Sequence, residues 1–524
     1  MTDAIYHTLS QAVDNNDISS FRAAYYTFLS QFPSFTQAVS ASAHDIEVRS
    51  AIFGEAVYHL HATNDSEAHN MLAKSRAASQ RFSMLPLDDR LDFLTLLEAK
   101  IAERLDDIML TITADTGKPI DLARAEMQKG KEWFHFAREH AAEQLATTIH
   151  GTITSSYRPL GAAQIIGAYN YPYALAISGI VGALAAGNGV IITAPLKAPS
   201  WIFPFYQAVC QALHTFALPL PEQLIQYSIG INQLLTSQAD LVQFVGNDLT
   251  ADHIRALREG KKTILEMSGT NMVIVMLSAL RDYTAETIAE AIYNGFAPAT
   301  GQRCTAPRIL CAQHGSEAVV KALIARVANN LSNHHIGNPF HPGTKIGPLV
   351  DHHAYLKMQD MIATAKKFGA TIYGQMDVNN NSIPQAHLSH ALFVSPVIID
   401  WSAIHDPSRI GHIYAMIKHE IFAPLLHIIH PIHQLDDAVA ITNTLDKQRL
   451  AGSLFSCDNN EITTYRTSTS LTSLTINGAP KDHSPYAVHG HPGSNKIGGD
   501  KHFSLYADQV FSVDMSATLP KRLH

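Results

Sequence analysis

The chain has 524 residues, too many for one core, so two to four domains are expected. With 46% hydrophobic and 16% charged residues it reads as a soluble globular protein, and a net charge of −8 with a pI near 6.4 argues against nucleic acid as the main partner. Its four cysteines, Cys210, Cys304, Cys311 and Cys457, make no disulfide framework and point to a reducing, cytoplasmic compartment; Met1-Thr2-Asp3-Ala4 opens no secretory signal.

In chain order, residues 1–40 carry apolar positions at helical spacing (Ile5, Leu9, Val13; Phe21, Tyr25, Phe28, Leu29). They predict two short helices ending at Phe32-Pro33-Ser34, an N-terminal extension and not a domain. The stretches around Glu47-Val48-Arg49 and Tyr58-His59-Leu60 read as a hairpin. Ser66–Arg81 and Leu87–Thr113 read as helices, the second stopped by Asp115-Thr116-Gly117-Lys118-Pro119. A helix runs through Phe134, Phe136 and Ala137, and Ile149–Tyr157 reads as an exposed strand. From Arg158 to Gly246, strands Ala163–Ala168, Gly189–Thr193, Leu224–Ser228 and Leu241–Val245 alternate with helices Tyr173–Ala186 and Ser200–Thr215. That order implies a parallel sheet of the nucleotide-binding type, although no G-x-G-x-x-G follows any strand. The apolar run Tyr173–Ile192 is broken by Gly179, Gly182, Gly187 and Asn188, so it reads as buried helix and strand, not as a membrane span. Thr263–Met267 adds a strand. Asp282–Leu331 and His352–Lys367 read as helical, and Leu392–Ile399, Leu425–His430, Leu435–Asn443 and Gly452–Ser456 as a second α/β alternation. Two such units in series imply a cleft for cofactor and substrate between them.

Only one cysteine, Cys304, stands in polar, turn-forming sequence with a cation on each side, Arg303 and Arg308. Positive charge favours the thiolate, the reactive form, over a thiol whose ordinary pKa is about 8.5, and a following helix start would add its dipole. A buried small hydrophobe is the bland alternative. Twenty-nine histidines invite a search for metal. The dense spots His334-His335, His352-His353 and His489/His491 lack both the i, i+4 pair with glutamate and a paired-cysteine partner, so no metal site is assigned.

Several further segments stand in an order that resembles the aldehyde dehydrogenase superfamily from about residue 42 onward. Gly301-Gln302-Arg303-Cys304 looks like the G-Q-x-C nucleophile loop, and Leu265-Glu266-Met267-Ser268-Gly269-Thr270-Asn271 like E-L-G-G-K-N with its general base. Tyr169-Asn170-Tyr171-Pro172 resembles W-N-F-P, and Leu184-Ala185-Ala186-Gly187-Asn188 the A-L-A-A-G-N element. Phe244-Val245-Gly246-Asn247 resembles F-T-G-S at the pyrophosphate, and Glu420-Ile421-Phe422-Ala423-Pro424 resembles E-x-F-G-P, whose glutamate holds the nicotinamide ribose. The resemblance implies a Rossmann-type cofactor domain (41–140 and 158–265) and an α/β catalytic domain (266–490). It also implies a small β oligomerisation flap (141–157 and 500–515), hence a homodimer or homotetramer. It implies Cys304, Glu266 and Asn170 as catalytic residues, with Tyr169, Thr193, Lys197, Phe244, Gly246, Asn247, Glu420 and Phe422 on NAD or, alternatively, NADP. Thr305, Gly493 and Ser494 would then meet the aldehyde. Within the superfamily the likeness is greatest to succinylglutamate-semialdehyde dehydrogenases, carried by Gly301–Thr305, Ala168–Pro172, Tyr506-Ala507-Asp508 and Thr518-Leu519-Pro520. Pyrroline-5-carboxylate dehydrogenases come second, through Gly493-Ser494-Asn495-Lys496, Gly498-Gly499 and His502.

The departures gather at the cofactor. Thr193-Ala194-Pro195-Leu196, followed by Lys197, replaces K-P-S-E and its two charged contacts; Asn247-Asp248 replaces Ser-Thr; Pro485-Tyr486-Ala487-Val488 stands for P-F-G-G. Each charge-assisted hydrogen bond lost would cost roughly 1.5–3 kcal/mol. Beside a dehydrogenase acting on a carboxylated semialdehyde, two other readings therefore stay open. One is a thiol esterase that needs no nucleotide, and the other is a binding or structural protein on an inherited scaffold.

Overall fold

A computed structural model describes residues 2–40, 45–267, 269–328, 336–350, 352–374, 392–429, 431–445, 449–480, 484–488 and 497–513. Two parallel sheets follow each other along the chain. The first has five strands, in the order Thr263–Met267, Leu241–Gly246, Ala162–Ile166, Gly189–Ala194, Ile225–Ile229. Successive side chains on these strands point to opposite faces. Ala163, Ile165, Val190 and Ile192 enter one core, whereas Ala162, Ile166, Ile191, Val242 and Phe244 enter another. Both faces are covered, which is why the strands read as continuous apolar runs.

Helices Pro172–Ala185 and Ile202–Thr215 lie where the sequence predicts them. Short helices Gln233–Gln238 and Asp248–Leu257 were not predicted. The second is capped by Asn247, whose side chain accepts from Thr250 N at 3.0 Å. Strand order reverses between Ala162–Ile166 and Leu241–Gly246. Beyond the carboxyl ends of these two strands lies the crevice in which open α/β sheets bind ligands.

The second sheet has seven strands: Thr371–Tyr373, Val397–Asp400, Leu425–Ile428, Pro307–Ala312, Asn271–Val275, Ala451–Phe455 and Ser473–Ile476. All pairings are parallel except that of the first two. The helix expected throughout Asp282–Leu331 is instead helix Ala285–Phe296, a left-handed turn, strand Pro307–Ala312 and helix Glu317–Ala328. The run Pro307–Ala312 is central and buried on both faces, so it lacks the alternation that marks a half-exposed strand.

Two further expectations change. Leu87–Thr113 is two helices, Leu87–Ala102 and Leu105–Thr116, parted at Glu103-Arg104. Residues 2–38 form three helices, Thr2–Asp14, Ile18–Leu29 and Pro33–Ala38, and they are no appendage. Phe21, Tyr25, Phe28, Leu29, Phe32 and Phe35 belong to the same core as the first sheet. Tyr25 donates to the buried Asp115 at 2.8 Å, and Phe35 packs edge-on against Tyr58 and Phe203, both at 5.2 Å. At about 1.5–3 kcal/mol for each buried large apolar side chain, this segment contributes to the core it covers. A three-stranded antiparallel sheet, Ala507–Val513, Ile153–Pro159 and Thr148–His150, stands apart with Ile149, Ile153 and Phe511 exposed. Among the described residues no helix is long and apolar enough to cross a membrane.

Candidate active site

The first sheet ends at Met267 and the second takes up Asn271, and the site is built where the two meet. Glu266, almost fully buried, lies at the carboxyl end of the edge strand Thr263–Met267, and Asn271 opens the next strand. The Asn271 amide donates to Cys304 O at 2.7 Å and to Ala306 O at 2.9 Å. The end of one strand thus presents the carboxylate, and the start of the next holds the cysteine loop. Both Glu266 and Cys304 line one half-open cavity.

The loop before Cys304 is folded tightly. Ala299, Thr300 and Gly301 take left-handed backbone angles, φ 55°, 57° and 66°. For Ala299 and Thr300 this costs of order 1–3 kcal/mol each and persists only when the surroundings enforce it. They do: Ala299 N donates to Lys345 O (2.9 Å), Thr300 Oγ1 to Gly347 O (2.9 Å), and Val350 N to Gln302 Oε1 (3.0 Å). A Cβ on Gly301 would come within 2.4 Å of Ala423 O.

Arg308 lies buried beneath the loop, donating to Gly301 O (2.9 Å), Ala423 O (2.8 Å) and Glu420 (3.3 Å). Burial pulls its guanidinium below the ordinary value; Glu420 and then Cys304 oppose that pull. Arg303 has a different place, in the wall of the cavity. The expected helix dipole is absent, because Cys304 is followed by a turn and the strand Pro307–Ala312.

Asn170 faces the loop from the other side, its Nδ2 donating to Gln302 O at 3.1 Å. Its turn is held from below by a buried ion pair, Lys118 with Glu126 at 2.6 Å. Lys118 Nζ also donates to Asn170 O (3.0 Å) and lies 3.6 Å above the Tyr171 ring. The other Glu126 oxygen accepts from Tyr173 N and Ala174 N, at 2.8 and 3.1 Å, at the start of helix Pro172–Ala185. A carboxylate there meets both the free N–H groups and the positive end of the helix.

The crevice residues divide into two sets. Lys197 Nζ lies 5.2 Å from the Tyr169 ring, Tyr169 meets Phe422 edge-on at 6.1 Å, and Arg308 stands 5.6 Å from Phe422. Glu420, mostly buried on Arg308, ends this wall close to the Cys304 loop. A carboxylate acceptor beside an aromatic face fits the ribose and ring of the nicotinamide half of a dinucleotide. Gly246 and the capped helix after Asn247 lie at the sheet's reversal point, but Asp248 in the first turn of that helix places a carboxylate where a pyrophosphate would come. The Phe244 ring is buried against Gly246. Thr193 cannot serve the adenosine end: it is buried, and its Oγ1 is engaged at 2.8 Å by both Gln164 Nε2 and Ser228 Oγ.

Thr305 is buried and does not line the cavity, while Gly493 and Ser494 lie outside the described residues, as do Thr518-Leu519-Pro520. Sequence reasoning missed Lys129 and Trp133, Tyr171, Ala174, Leu175 and Ser178, and Ile497, all in the cavity wall. The spacing of 171, 174, 175 and 178 is that of one helix face, a signal that marks a face but not what it confronts. Among the described residues no three metal-ligating side chains cluster; His334, His335, His489 and His491 lie outside them.

Comparison with known proteins places this geometry. The model of the aldehyde dehydrogenase family matches residues 38–508. The bifunctional protein PutA of Klebsiella aerogenes is 26% identical over 402 residues, 74% of this chain but only 28% of that longer protein. N-succinylglutamate 5-semialdehyde dehydrogenase of Novosphingobium aromaticivorans is 25% identical, over 72% of this chain and 76% of its own. A point variant of Staphylococcus aureus betaine aldehyde dehydrogenase, solved with NAD+, superposes with a TM-score of 0.79 at 20% identity, covering 91% of this chain and 95% of that one. The chain belongs to the aldehyde dehydrogenase family, oxidoreductases that act on an aldehyde group with NAD(P) as acceptor.

Proposed function

We propose that this chain oxidises a carboxylated aliphatic aldehyde to the acid, with NAD as acceptor and NADP as the alternative. A semialdehyde of amino-acid catabolism, such as succinylglutamate semialdehyde, is the substrate class. The observation that carries the substrate class is the cavity wall. Lys129 and Arg303 stand in an otherwise mainly apolar lining of Trp133, Tyr171, Leu175 and Ile497, in the cavity that holds Cys304. Lys129 is also shared with Glu132 at 3.2 Å, and an apolar lining with Arg303 and this partly satisfied lysine suits an aliphatic chain ending in carboxylate.

The proposed roles follow from position. The Cys304 thiolate, favoured by Arg308 below it, adds to the aldehyde carbon and leaves an oxyanion. Asn170, which has a second amide N–H besides the one given to Gln302, and the Cys304 backbone N–H are the donors for it; such a donor is typically worth about 3 kcal/mol of barrier. Bound nicotinamide supplies the hydride acceptor, held by Glu420, Phe422 and Tyr169. Glu266, shielded from bulk water, takes the proton of the water that releases the acid from the Cys304 thioester. The half built on the five-stranded sheet is the proposed cofactor domain, and the half from residue 266 to 490 the catalytic one. The exposed Ile149, Ile153 and Phe511 on the three-stranded sheet support a homodimer or homotetramer. Four free thiols suit a cytoplasmic setting.

The test is a panel of aldehydes with and without a terminal carboxylate, assayed on the wild type and on Lys129→Met and Arg303→Met. Losing one charge-assisted contact should lower kcat/KM for carboxylated aldehydes by roughly 10–100-fold and leave neutral ones nearly unchanged. Equal losses for both classes would remove the carboxylate from the reading. A second reading, a thiol esterase without nucleotide, is favoured by the engaged Thr193 and the missing acid at the adenosine end. It expects ester cleavage by nucleotide-free protein that disappears in Cys304→Ala.

A further inference from the structure

Residues 2–37 precede the family match, yet their contacts lead to the cysteine loop. The segment 336–350 is the link. On one side it is gripped by helix Thr2–Asp14: Asn338 Nδ2 donates to Asp14 Oδ1 (2.9 Å) and Ser10 O (3.0 Å), His341 Nε2 pairs with Asp14 Oδ2 (2.9 Å), and Tyr6 OH donates to Phe340 O. A single carboxylate, Asp14, thus engages two residues of the segment. On the other side, four to nine residues after His341, the same segment supplies Lys345 O, Gly347 O and Val350 N to Ala299, Thr300 and Gln302. Between these ends it is pinned to the helix that carries Lys129 and Trp133, through Ile120 N to Pro339 O (2.8 Å) and Gly343 N to Asp121 Oδ2 (2.9 Å). It also lies flush on the turn before Lys118, where a Cβ on Gly347 would meet Gly117 O at 2.0 Å.

We propose that helix Thr2–Asp14 is a brace for the reactive loop: Asp14, acting through Asn338 and His341, is a positioning residue that holds segment 336–350 where it can enforce the left-handed turn at Ala299–Gly301. The turn needs such enforcement, since two of its three residues are not glycine. The segment meets it with three hydrogen bonds whose acceptors and donors lie within six residues, so a displacement of the segment moves the loop as a unit. Misplacing a reacting group by about 1 Å can cost as much as 100-fold in rate, which gives a remote contact leverage on Cys304.

The experiment compares three variants of the full chain. Asp14→Ala removes both grips. Asp14→Asn keeps an acceptor for Asn338. Asp17→Ala removes the N-cap of the neighbouring helix Ile18–Leu29, weakening the same part of the molecule without touching 336–350. Two readouts are taken: turnover with nucleotide and aldehyde, and the rate at which iodoacetamide labels the Cys304 peptide, followed by mass spectrometry with the exposed Cys210 as internal reference. Asp14→Ala should lower kcat and slow Cys304 labelling by about tenfold while KM for nucleotide holds, and Asp14→Asn should recover most of both. Asp17→Ala should lower the melting temperature and leave both rates within about twofold. The brace is refuted if Asp14→Ala leaves labelling within about twofold of the wild type, or if Asp17→Ala slows it as much. The turnover arm rests on the proposed function; the labelling arm does not, so a chain that oxidises no aldehyde would still decide the question.

Discussion

At the scale of residues, the site depends on groups that make no contact with substrate. The Lys118–Glu126 pair is buried at both ends, and every remaining lone pair or proton that the bonds account for points at the Asn170 turn or the helix start behind it. Replacing one partner of such a pair leaves an uncompensated buried charge, at a cost of about 3–5 kcal/mol. Lys118→Met should therefore lower stability by that order, seen as an earlier urea midpoint. Lys118→Met with Glu126→Gln together should recover a good part of it, because the stranded charge is gone. Equal stability of the single and double variants would show that the pair is not coupled.

The element scale shows what the linear sequence could reveal. Strands Leu241–Gly246 and Thr263–Met267 and helix Pro172–Ala185 were legible because apolar runs of the right length are bounded by glycine, proline or charge. The stretch around Pro307–Ala312 was not: six consecutive buried positions carry no period, and the run was absorbed into a longer helix. The N-terminal helices were recognised, but their depth in the core was not, since an amphipathic face looks the same whether it meets a surface or completes a core. Cys304, Glu266 and Asn170 could be singled out in sequence, and the structure places two of them in one cavity and the third against the same loop. Lys129 and Arg303 could not be paired, because only the fold brings a helix at residue 129 to a loop at residue 303.

At the scale of the whole molecule, two buried histidines make stability depend on pH. Burial pushes His427 and His502 down from 6.5 to about 3, so the folded chain keeps them neutral where the unfolded chain binds protons. Their contribution is present above pH 6.5 and is lost as pH falls toward 3. Asp115 works in the opposite sense: burial raises it from 3.8 to about 6, so its contribution is present below that window and lost as pH rises through it. His427→Gln keeps an acceptor for Trp401 Nε1, now 3.2 Å from the ring, while removing the proton site. The fall in unfolding free energy between pH 7 and pH 5 should then shrink by about 2 kcal/mol. An unchanged fall would mean that His427 does not titrate on unfolding.

The central claim is that Cys304 and Glu266, brought together where the two sheets meet, divide the reaction into attack and release. Rapid mixing of enzyme, nucleotide and aldehyde, read by the absorbance of reduced nucleotide, tests it most directly. Glu266→Gln should give a burst of about one equivalent per chain and then stall, because the acyl group stays on Cys304, and Cys304→Ala should give no burst. Steady turnover by Glu266→Gln at the wild-type rate, or reduced nucleotide formed by Cys304→Ala, would contradict the account.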